Sequence, residues 1–131
     1  MLVKIFLGLN AVLFIVYGLM CLANPSVVAD QTGMQLATGV ATAEARAMYG
    51  GLQTSVGLLA LLGLMRPGLQ PAVLLALVFV FFGLASGRMV GILVDPDPGV
   101  YNFAAFVFEA LFGLLAMMLL QKNASEAQPA G

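Results

Sequence analysis

The sequence predicts an all-α integral membrane protein, a bundle of four spanning helices. Three observations carry that expectation. Of 131 residues, 62% are hydrophobic and only 8% charged, whereas a soluble domain carries roughly 25% charged residues. The mean hydropathy is +1.05. The apolar residues also gather into four runs long enough to cross a bilayer, and each of the three segments between them contains proline.

The first run, Leu2 to Ala23, carries one charge, at Lys4. Cys21-Leu22-Ala23 before Asn24 faintly resembles a signal cleavage site, but the apolar run is long for a secretory signal and reads as a spanning helix. Asn24-Pro25 ends it, because proline disfavours helix at the residue before it. The connection to Thr42 contains no lysine or arginine. In it, Pro25 to Asp30 has the make-up of a short interfacial helical turn, and Gln31 to Gly39 reads as loop. A second span is expected over 43–65, with Glu44 in the first turn, where the helix dipole favours an anion. Arg66-Pro67-Gly68 is a tight turn, and the third span covers 70–94. Asp95-Pro96-Asp97-Pro98-Gly99 is a stop built from two prolines and a glycine. The fourth span covers 100–121. One domain, 1–122, is therefore expected, followed by a polar, disordered cytoplasmic tail over 123–131.

Lys4, Arg66 and Lys122 fall on one side of such a topology, while the other two connections carry Asp30, Asp95 and Asp97. An excess of basic residues marks the cytoplasmic side, so both termini are expected there. The net charge is −1 with no basic run, which argues against nucleic acid as a partner. The chain has no histidine and one cysteine. Histidine-based triads, haem ligation by histidine, the usual zinc sites and an intrachain disulfide are thereby excluded. No metal, cofactor or catalytic residue is assigned, and catalysis is the less favoured reading.

The residues that demand explanation are the polar ones inside the apolar runs. On an α-helix Arg46, Tyr49, Gly50 and Gln53 share one face. Arg88 lies roughly 9 Å from one end of the third span, Glu109 roughly 13 Å into the fourth and Gln53 roughly 15 Å into the second. Tyr17 sits at a comparable depth in the first span. A lipid-facing arginine costs several kcal/mol, so Arg88 should face protein and meet an anion. Glu109 is the only acid deep in any span, which makes it the expected partner. Tyr17, Arg46, Tyr49, Gln53, Arg88 and Glu109 are accordingly the candidate ligand-binding residues. Gly83, Gly87 and Gly91, spaced by four, form a small-residue stripe expected to pack closely against another helix. Asn10 is expected to make a hydrogen bond between helices. Tyr101 reads as an interfacial anchor.

The two halves are faintly alike. Phe14 to Leu19 (FIVYGL) resembles Phe79 to Leu84 (FVFFGL), and Gly57-Leu58-Leu59-Ala60 recurs as Gly113-Leu114-Leu115-Ala116. Matches of glycine, leucine and alanine also arise by chance in such a composition.

Asn24-Pro25 after the first span, Glu44-x-Arg46-x-x-Tyr49-Gly50-Gly51 opening the second, Gly87-Arg88 near the end of the third and Glu109 in the fourth resemble a group of small bacterial inner-membrane proteins. These are related in architecture to the DoxX-like four-helix proteins. The resemblance covers the chain up to about Lys122. It implies a four-helix bundle in the bacterial cytoplasmic membrane and brings no activity with it. Some DoxX-like proteins are regarded as subunits of quinone-linked oxidoreductases, but no histidine or cysteine pair here offers a redox ligand.

Two functions are compatible with these residues. In the first, the polar cluster binds an amphipathic small molecule, lipid or quinone-like, with Arg46, Arg88 and Gln53 on its polar end and Glu109 orienting Arg88. In the second, the protein is an accessory or assembly subunit of a larger membrane complex, or a homo-oligomer, and its buried charges serve structure alone.

Overall fold

A computed structural model of the protein describes residues 1–127, all of its regular structure being helical. Helix α1 is Leu2–Ala23, α2 is Ser26–Thr32 and α3 is Gly39–Ala45. A π-helical segment, Arg46–Leu52, joins α3 to α4, Gln53–Met65. A 3-10 turn at Pro67–Leu69 leads to α5, Gln70–Val94, and α6 is Gly99–Ala127. Among the described residues four helical stretches are long and apolar enough to cross a membrane: Leu2–Ala23, Gly39–Met65, Pro67–Val94 and Gly99–Asn123.

The bounds of α1 and α5 are those expected from the sequence. The second span starts earlier than expected because Thr38, in extended geometry, caps it: its hydroxyl accepts a hydrogen bond from the Ala41 N–H at 3.1 Å. α6 continues beyond Gln121 to Ala127, so the first part of the expected tail is helical, and its last part, 128–131, lies outside the described residues. The interfacial turn after Pro25 is a helix reaching Thr32, ended by Gly33 in the left-handed region at φ 72°.

The chain divides into two compact units, Met1–Pro67 and Gly68–Gly131. In the first, α1 packs along the π segment and α4. Glycines make the approach close: a Cβ at Gly57 would lie 2.7 Å from the Ile15 backbone nitrogen, one at Gly18 2.6 Å from that of Thr54, and one at Gly50 2.6 Å from Leu22 Cγ. α2 folds over the end of this hairpin, placing Val28 with Cys21 and Ala45 in a buried cluster flanked by Tyr17, Met34, Leu36 and Tyr49.

In the second unit α5 packs on α6. Phe81 is fully buried, its ring centroid 5.5 Å from that of Phe112 and 6.2 Å from that of Phe108. Gly113 makes room for it, since a Cβ there would meet Phe81 Cβ at 3.3 Å. The two Gly-Leu-Leu-Ala runs thus each set a glycine against the first helix of their hairpin, Gly57 on Ile15 and Gly113 on Phe81 and Phe82.

The stripe of Gly83, Gly87 and Gly91 makes no such approach. No neighbouring atom lies within 4 Å of a Cβ placed at Gly83 or Gly87, and Gly91 meets only the Asp95 carboxylate of its own helix end. The reason is rotational: Leu74, Leu77, Phe81 and Ala85 form the buried face of α5, and the stripe lies off it. Asn10 also departs from expectation, for its Nδ2 donates to the Phe6 carbonyl of its own helix at 2.7 Å.

Gly57→Ala should therefore lower stability by about 1–3 kcal/mol through overpacking against α1, whereas Gly83→Ala should change it by no more than about 1 kcal/mol. Unfolding by denaturant in detergent micelles separates the two; equal effects would show that the backbone approach at Gly57 contributes nothing.

Candidate functional site

The π segment is the most unusual local feature. An α-helix places the residue four before Gly50, Arg46, on Gly50's face, whereas a π turn, bonded i to i+5, places Ala45 there. The structure takes the second course. Ala45 and Gly50 are both buried, five residues apart, and Arg46 is exposed. The shared face expected for Arg46, Tyr49, Gly50 and Gln53 is accordingly broken: Tyr49 and Gln53 are half-buried, and only Gly50 is buried. Where the backbone ladder changes from i+5 to i+4, the Thr54 hydroxyl donates to the Gly50 carbonyl at 2.8 Å and the Ser55 hydroxyl to the Gly51 carbonyl at 2.9 Å. Such bonds matter in lipid, where water is not at hand for unsatisfied carbonyls.

The six candidate residues fall into two groups, one in each unit. Tyr17, Arg46, Tyr49 and Gln53 belong to the first. The Tyr17 hydroxyl donates to Gln31 Oε1 on α2 at 3.4 Å. Arg46 Nε donates to the Leu22 carbonyl near the end of α1 at 3.2 Å, which ties the π segment to that end. Beside them is a pocket of about 200 Å³ lined by Met34, Ala41, Glu44, Ala45, Met48 and Tyr49. Its wall is apolar in character: two methionines, two alanines and a tyrosine, with one acidic residue. Of the residues singled out as ligand-binding in the sequence, Tyr49 alone lines it.

Arg88 and Glu109 form the second group. Arg88 Nε donates to both Glu109 oxygens, at 2.8 and 2.9 Å. Its Nη1 donates to Asn102 Oδ1 at 2.8 Å, and Asn102 Nδ2 in turn donates to the Pro98 carbonyl at 2.7 Å. The guanidinium carbon lies 5.4 Å from the centre of the Tyr101 ring, within cation–π range. The Glu109 side chain is 6% exposed and that of Arg88 22%. Buried charges are tolerated when paired and hydrogen-bonded, and this chain of contacts satisfies that condition. It also links α5, α6 and the proline turn between them. Asn102 was legible in principle, being seven residues before Glu109 and so on its helix face. Tyr101, expected as an interfacial anchor, also stacks beneath Arg88.

Among the described residues no group of three or more histidine, cysteine, aspartate or glutamate side chains is placed to hold a metal ion.

Four apolar helices, a charge pair satisfied inside one hairpin and a small apolar pocket in the other define the class: a small helical membrane protein. Residues 2–120 match the sequence profile of a family described as a domain of unknown function (DUF4345), and the chain belongs to that family. No curated protein and no solved structure matches the chain.

Glu109→Gln would leave the guanidinium of Arg88 without its anion. The expected loss is about 3 kcal/mol, near the low end for a broken buried pair because Arg88 keeps some exposure. Asn102→Ala should cost about 1 kcal/mol. Unfolding of the two variants in detergent checks the ranking, and unchanged stability of Glu109→Gln would refute a structural role for the pair.

Proposed function

We propose that this membrane protein binds an amphipathic small molecule, a lipid or a molecule of similar make-up, at the end of the first hairpin where α1 finishes and α3 begins. The observation that carries this reading is the pocket beside Tyr49. Its lining suits a hydrocarbon group, and its volume of about 200 Å³ exceeds the roughly 150 Å³ that holds a benzene ring in an engineered apolar cavity. It is also smaller than the roughly 300–1,000 Å³ typical of drug-sized ligands, so it suits one end of a ligand. Tyr17 and Arg46 lie at the same end of the hairpin and offer polar partners. Arg88 and Glu109 are assigned here to structure rather than to ligand, because they satisfy each other.

Ala41→Phe would fill the pocket from its wall. Native mass spectrometry of the protein, extracted gently from its membrane, should show a small-molecule adduct on the wild type and none on the variant, with the two melting alike. An adduct that survives Ala41→Phe would place the ligand elsewhere.

A second reading, an accessory subunit of a larger membrane complex, is favoured by a different observation. Gly83 and Gly87 are exposed and have open space above them, the condition under which another helix can approach closely. Under this reading Gly87→Leu leaves the melting of the isolated protein unchanged and abolishes copurification of a membrane partner.

A further inference from the structure

The wall of the pocket at Tyr49 is hydrocarbon, thioether and aromatic ring except for one charge, and that charge is a carboxylate. Ala41, Glu44 and Met48 succeed one another at three and four residues, so Glu44 stands on the face that lines the pocket. The residue is exposed, and no ion pair joins it to another described residue. None of the lysines and arginines of this unit offsets it. Arg46 lies on a different face of the helix and gives its Nε to the Leu22 carbonyl at 3.2 Å. Lys4 and Arg66 belong to the opposite end of the hairpin, and the connection over 24–42 has neither lysine nor arginine.

An anionic amphiphile would set its head against the carboxylate of Glu44. A neutral one would gain nothing from it. A zwitterionic head could lend it an ammonium, but the attached phosphate would stand beside the same carboxylate with no cation turned toward it. Building on the pocket-binding reading above, we infer that the ligand is an amphiphile of net positive charge, its hydrocarbon end in the pocket and its ammonium at Glu44. The Tyr49 ring in the same wall suits such a head, since an aromatic face attracts an ammonium group. Met34 and Met48, flexible and polarizable, adapt to the hydrocarbon it carries.

Methionine-methyl NMR of the full chain in phosphatidylcholine nanodiscs tests this, with octyltrimethylammonium, octylphosphocholine, octanol and octanoate as probes. They share one chain and differ in head. Each partitions into lipid to its own extent, so each is compared with itself on the wild type and on Glu44→Gln, which should melt alike because Glu44 is exposed. Octyltrimethylammonium should shift the methyl resonances of Met34 and Met48 on the wild type. Glu44→Gln should weaken its binding about fivefold, the size of one exposed ion pair. Octanol should bind both proteins equally, octanoate should gain on the variant, and octylphosphocholine should lose less than octyltrimethylammonium. An octyltrimethylammonium affinity that Glu44→Gln leaves unchanged, or an equal loss for octylphosphocholine, overturns the cationic head while leaving pocket binding intact. Failure of every probe to shift either methyl overturns the pocket-binding reading itself, and this inference with it.

Discussion

The constraint on which the first hairpin depends is backbone proximity. In lipid, burying an apolar side chain against another gains little, because the surrounding tails are equally apolar, so helices associate through close packing. Here α1 is met at Gly18, Gly50 and Gly57, positions where any side chain would collide with backbone or with Leu22 and Ile15. With Gly50 and Gly57 pinned against α1, the register of everything before Gly50 is set by the geometry of the turn that precedes it. An α-helical turn would aim Arg46 at α1 and into the cluster of Cys21 and Val28. The π turn inserts one more residue and presents Ala45 instead. The hydroxyls of Thr54 and Ser55 then take up carbonyls at the junction, which makes the irregularity tolerable within an apolar span.

The two hairpins treat their arginines in opposite ways, and this divides structure from candidate function. Arg88 is drawn inward and given an anion, an amide and an aromatic ring, all from α6. Nothing in that arrangement asks for a ligand. Arg46 is turned outward, with one bond to a carbonyl at the end of α1, and it sits next to an apolar pocket. A protein whose every polar group were satisfied internally would read as a scaffold. The first hairpin does not read that way, because the exposed Glu44 stands in the wall of a hollow otherwise lined by methionine, alanine and tyrosine. Methionine suits such a wall, its flexible thioether adapting to chains of irregular shape.

Much of this could be read directly from residues. The runs ending at Ala23 and at Val94 are closed by Asn24-Pro25 and by the Asp-Pro-Asp-Pro-Gly stop, and α1 and α5 have those bounds. The pairing of Arg88 with Glu109 followed from cost alone, since a single deep acid was available to a single deep arginine. Other features were not legible because uniformly apolar helices carry almost no periodicity. The stripe of Gly83, Gly87 and Gly91 looked like a contact face, yet the volume of Phe81 turned α5 so that Gly113 on α6, not the stripe, receives its neighbour.

What the sequence determined by itself, then, was composition-driven: four stretches too apolar for water, their breaks at proline, and a charge pair that lipid would not tolerate apart. What only the tertiary structure decided was rotation about each helix axis. The π turn at Arg46–Leu52, the exposure of Arg46, the outward glycine stripe and the pocket at Tyr49 all follow from which atoms meet at Gly18, Gly50, Gly57 and Gly113. Those contacts join residues far apart in the chain, and a glycine's lack of a side chain becomes informative only when its neighbour is known.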